Sequence, residues 1–178
     1  MQTVDAKLRG FTLVELLVTV AMIGIMAALA TVGYRRWLTS ARTTEARELL
    51  QAIAAAQKLY FDETRGYLNC SSNWADHYPG KPGAFKRDFN NKGHSKYKCW
   101  KLLGVRVDSP VGMAYAVRAG TASQTPPPSS VPGIKWPAIT APWWVAQASG
   151  DHDGNGQFSF FMTSSFNAGE IFSANETE

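Results

Sequence analysis

The sequence predicts an α+β protein, a long N-terminal α-helix packed on a small antiparallel β-sheet, with the first half of the helix built to span a membrane. Three observations predict it. From Phe11 to Val32 the only polar side chains are Thr12, Glu15, Thr19 and Thr31. Further on, Ala46, Leu49, Leu50, Ile53, Ala56 and Tyr60 recur at three- and four-residue steps, the pattern of a helix with one buried stripe. After residue 103, short stretches rich in Val, Tyr, Phe and Trp alternate with Gly, Pro and Asp turns, which is how strands and their connections read.

A chain of 178 residues has room for one membrane segment and one modest folded domain. The 45% hydrophobic fraction is ordinary, but Phe11–Val32 takes a large share of it. What remains is polar and rich in Gly, Pro and aromatic residues, so the soluble part should carry long loops. A formal charge of +4 is mild and argues for a nucleic-acid partner only if it is clustered.

The run 11–32 matches the roughly 20 apolar residues needed to cross about 30 Å of hydrocarbon. Lys7 and Arg9 precede it, and Arg35 and Arg36 follow. The positive-inside balance therefore tips only slightly toward a cytoplasmic N-terminus and an outward-facing C-terminal domain. A secretory signal peptide would have a shorter apolar run and a small-residue cleavage site after it, which TVGYRRW does not supply. The alternative cut lies before the run, between Gly10 and Phe11. Glu15 then needs a reason, because an ionised carboxylate in a spanning helix costs about 2.5–3.5 kcal/mol on insertion scales.

KLRG followed by FTLVELLVTVAMIGIMAALA resembles the class III signal of type IV prepilins and pseudopilins: a short basic leader ending in Gly, then Phe, then Glu as the fifth residue after the cut. The resemblance covers about the first thirty residues; beyond them the chain shares the family's layout and no motif. It implies that a prepilin peptidase cuts after Gly10 and methylates the new amine of Phe11, and that Glu15 is the family's assembly glutamate. In a bundle of such helices Glu15 of one subunit would pair with the Phe11 amine of the next, each charge offsetting the other's desolvation and fixing register. Many major pilins carry Pro near the end of the apolar run, where this chain reads Ala30, Thr31, Val32, Gly33. Without the helix-breaking ring the helix should be straighter, with Gly24 and Gly33 its weak points.

No breaker separates the apolar run from the amphipathic stripe, so one helix should run from about Phe11 to about Thr64, roughly 80 Å at 1.5 Å per residue, and end near Gly66. Glu45, Arg47, Glu48 and Lys58 read as its solvated face. The expected organisation is a leader 1–10, a transmembrane and filament-core helix 11–33, and a soluble domain 34–178 containing a disulfide loop 67–102 and a sheet 103–178. Cys70 and Cys99 match no metal or redox spacing, and in an outward-facing domain they read as a disulfide. The stretch they enclose is basic, with Lys86, Arg87, Lys92, Lys96 and Lys98 interleaved with Phe85, Phe89, Tyr97 and Trp100. That combination suits phosphate contact and base stacking, and also suits a solvated loop whose rings pack on the domain.

GVRVDS, MAYAVRAG, WWVAQASG and GQFSFFMTS read as strands, the last two joined by a turn at DHDGN. TASQTPPPSSVPG reads as an exposed loop. Asp151, Asp153 and Asn155 open like a calcium loop, but the twelfth position, which needs an acid, is Met162. The expectation is no cofactor, with calcium kept only as a candidate at that turn. His77, His94 and His152 show no ligand spacing and read as surface residues. No nucleophile motif, phosphate-cradling loop or paired carboxylates point to an enzyme. The reading is a structural subunit: a minor pilin that primes assembly or decorates the filament, with a major pilin, a type II secretion pseudopilin or a DNA-binding competence pilin as alternatives. Its implied partners are other pilins in a helical filament, the prepilin peptidase, and an inner-membrane platform with its ATPase. Its implied location is the inner membrane before assembly, then an extracellular pilus or a periplasmic pseudopilus.

Overall fold

Helix α1 (Leu13–Thr64) is one element of 52 residues in the computed structural model, which describes residues 11–167 and 169–176. Contacts divide the chain into two units between Leu38 and Thr39. In the first, every side chain described from Phe11 to Tyr34 is exposed. In the second, Ala46, Leu49, Leu50, Ile53 and Ala56 are buried as their spacing predicts. Gln57 is buried with them, and its amide is satisfied twice, donating to the Leu68 carbonyl at 2.7 Å and accepting from the Leu68 N–H at 2.9 Å. The helix stops where Arg65 takes a left-handed φ of 60°, just before Gly66.

The sheet is four antiparallel strands in sequence order: β1 (Ala114–Gly120), β2 (Trp143–Gly150), β3 (Ser159–Ser164) and β4 (Phe172–Ala174). Pairing Val117 with Ala146 and Ala148 with Phe161 puts Tyr115, Val117, Trp144, Ala146, Ala148 and Phe161 on the face packed with α1. Trp143, Val145 and Met162 point the other way and form a second core.

That second core corrects the reading of the Pro-rich segment as an exposed loop. Val131 is buried, and Ile134, Trp136 and Ile139 pack against the same cluster. Three indoles hold the cover down by donating to consecutive stretches of its backbone: Trp143 to Gln124, Trp136 to Pro127 and Trp74 to Pro128, at 2.7, 2.7 and 2.8 Å. Proline carbonyls are free to accept because prolines have no N–H to pair in a ladder.

GVRVDS forms no strand. Val105 and Val107 alternate inward against the main core, and Asn90 Nδ2 donates to the Val107 carbonyl in place of a neighbouring strand. A short helix unforeseen in the sequence, α2 (Tyr97–Leu103), precedes it and buries Trp100 and Leu103. Cys70–Cys99 is a disulfide with a Cα–Cα distance of 5.5 Å, and it ties α2 to the segment that bonds Val117 in β1.

Candidate functional site

The N-terminal stretch of α1 places an apolar surface in the open. Phe11, Leu13, Ile23 and Leu29 are each more than 65% exposed, and the Cβ positions of Gly24 and Gly33 meet no neighbour within 4 Å. By length and composition this segment can cross a membrane. Its one described charge between residues 11 and 34 sits in a capping box. Glu15 Oε2 accepts from the Thr12 N–H at 2.9 Å and from the Thr12 hydroxyl at 2.8 Å, while the Thr12 hydroxyl accepts from the Glu15 N–H at 3.3 Å. Thr-x-x-Glu is a helix-start signature readable in the sequence, and it gives Glu15 a local role that the assembly reading overlooks. Both bonds that Glu15 accepts use Oε2; among the described residues Oε1 takes none. Gly10, the expected cleavage residue, lies outside the described residues. Through Ala30–Gly33 the helix is unbroken, and Thr31 donates back to the Ala27 carbonyl at 2.9 Å.

Helix residues read as solvated turn out to be engaged. Glu45 accepts from the Gly112 N–H at 2.6 Å and pairs with Lys86 at 3.0 Å. Arg47 pairs with Glu176 at 2.7 Å and lies 5.7 Å from the Phe161 ring centre. In the basic stretch the aromatic residues are not a stacking surface: Phe89 and Trp100 are buried, stacked and edge-on around Tyr78, and Tyr97 is half-buried. Phe85 alone of the four is fully open, at 84% exposed. Lys86 and Lys96 are neutralised by Glu45 and Asp76, whereas Arg87, Lys92 and Lys98 are exposed. A stripe of cations with interleaved rings is therefore not what the fold presents.

A family model described as the prokaryotic N-terminal methylation motif matches residues 6–31, the leader and the open helix face. Over that N-terminal stretch the chain is similar to type IV pilins. It is also similar to the type IV major pilin protein PilA of Myxococcus xanthus strain DK1622, 42% identical over 59 residues, which are 33% of this chain and 27% of that protein. The match thus spans about a quarter of the relative's length. No solved structure matches.

Elsewhere the turn after β2 uses its acids on itself. Asp151 Oδ1 accepts from the Gly154 N–H at 2.9 Å, Asp153 Oδ1 from the Asn155 N–H at 3.1 Å, and Asn155 Oδ1 from the Gln157 N–H at 2.6 Å. Such bonds are how Asp and Asn shape turns. Among the described residues no three His, Cys, Asp or Glu side chains converge on a metal position. The histidines are not surface residues. His77, His94 and His152 are all half-buried, and among the described residues His77 Nδ1 and His152 Nε2 have no hydrogen-bond partner. Burial pushes His77 and His152 below the usual histidine range.

Proposed function

We propose that this pilin is a filament subunit cut between Gly10 and Phe11, methylated at Phe11, held in the inner membrane by its apolar helix, and then packed into a pilus through that same helix. The observation that carries the reading is an exposed apolar helix of membrane-spanning length whose one described charge, Glu15, lies a turn from the cut. In a bundle, the Oε1 that Thr12 leaves open would accept from the Phe11 amine of a neighbouring subunit, so capping and pairing use different oxygens of one carboxylate. The role is mechanical and not catalytic. A prepilin peptidase and an inner-membrane platform with its ATPase are the partners such a subunit needs. The absent proline and the distinctive cover over the sheet favour a minor pilin, and the similarity to a protein named a major pilin keeps that alternative next. Glu15→Ala tests the pairing: the variant should reach the membrane at wild-type levels and be depleted from sheared filaments. Wild-type incorporation would refute it.

A further inference from the structure

Helix α2 and the segment 104–108 enclose a cleft of about 420 Å³, a size within the roughly 300–1,000 Å³ of small-molecule sites. Its floor is aromatic, with Trp100 and Tyr78 stacked at 5.0 Å between ring centres. Trp100 is 1% exposed, yet its Nε1–H has no acceptor among the described residues. A buried indole usually finds one, and the indoles of Trp74, Trp136 and Trp143 each have one.

The rim is chemically mixed in a specific way. Lys101 and Arg106 are exposed cations and Asp108 an exposed carboxylate; none of the three is in an ion pair among the described residues, unlike Lys86 and Lys96. Two positive charges and one negative leave one net positive charge, which suits a ligand with a single anionic group. A polyanion would set like charge against Asp108. Asn90 donates through Nδ2 to the Val107 carbonyl, which leaves its Oδ1 to accept, and both it and Asp108 line the cleft. Asp108 and Asn90 supply acceptors for hydroxyl donors, Lys101 and Arg106 supply cations for a carboxylate, and the half-buried Tyr97 ring is part of the lining.

We propose that this cleft binds a monoanionic, polyhydroxylated ring of the uronic-acid class. The carboxylate meets Lys101 and Arg106, hydroxyls donate to Asp108 and Asn90, and a ring face rests on Tyr97. The disulfide is part of the site, because Tyr97, Trp100 and Lys101 all ride on α2, which Cys99 fastens to Cys70. None of this depends on the filament reading.

The test is titration of the full chain in detergent micelles with glucuronate, using glucose and inorganic phosphate as controls. Glucuronate should bind saturably and more tightly than either. Lys101→Gln and Arg106→Gln should each weaken it about tenfold, the effect of losing one charge-assisted hydrogen bond. Lys92→Gln, outside the cleft, should leave it unchanged, Asp108→Asn should narrow the preference over phosphate, and reduction of the disulfide should weaken binding. All three rim positions are exposed, so the variants should keep the wild-type circular dichroism. Absence of saturation, equal binding of glucose or phosphate, or insensitivity to both cation substitutions would overturn the assignment.

Discussion

At the residue scale, Glu15 caps the start of the helix, and the assembly role proposed for it is separable from that capping. Gln at the third helical position can still cap, but it carries no charge to offset a neighbouring amine. Glu15→Gln should therefore leave the helix intact by circular dichroism and still be depleted from filaments. Wild-type incorporation would mean that capping alone suffices. His152 makes a second case. Burial and the nearby Arg42 hold it below its ordinary value of 6.5, against the opposing pull of Glu45, Asp151 and Asp153. The folded state thus keeps it neutral while the unfolded chain takes up a proton near pH 6.5, so stability holds above that value and falls as pH drops through it. His77 adds in the same direction. A melting temperature that declines from pH 7 to pH 5 should lose part of that slope in His77→Gln/His152→Gln, and an unchanged slope would contradict the assignment. Asp76 behaves oppositely. Burial raises it, but hydrogen bonds from Lys96 and Ser72 and the Lys96 charge outweigh that and bring it down to about 2. Its contribution is present above 3.8 and disappears only as pH falls toward 2.

At the element scale, the helix, the three main strands and the disulfide were legible because each rests on a local pattern: a 3.6-residue stripe, alternating β-formers, two cysteines in an outward-facing domain. Helix α2 and the proline-rich cover were not, since what fixes them is distant. Trp100 is buried by Tyr78 and Phe89, and the cover is held by indoles from Trp74, Trp136 and Trp143. GVRVDS misled because its alternation is real burial without a strand to pair. The Thr12–Glu15 capping box is local and legible in the sequence as Thr-x-x-Glu. Two predictions belong here. Replacing Cys70 and Cys99 by Ser should lower unfolding free energy by about 3–4 kcal/mol in urea, the chain-entropy value for closing a loop of this length; a change within error would mean that packing alone holds α2. Gly120→Ala should destabilise by about 1–3 kcal/mol, because its Cβ would come within 2.6 Å of the buried Trp143 ring.

At the scale of the whole molecule, the division between Leu38 and Thr39 separates an exposed apolar segment from a domain that contains both cores. A chain beginning at Thr39 should be soluble without detergent and melt cooperatively, while the full chain should require detergent or membrane. Aggregation of the shortened chain would show that the segment before it supports the fold. The central claim, that this chain is a pilin processed and built into a filament through its N-terminal helix, is a proposal tested most directly by quantitative mass spectrometry of sheared, purified surface filaments. The predicted result is an N-terminal peptide beginning at methylated Phe11, with this subunit present at a small fraction of the principal one. Dominance of the preparation would make it the major subunit. An intact leader, or retention in the envelope with none in the filaments, would contradict the account.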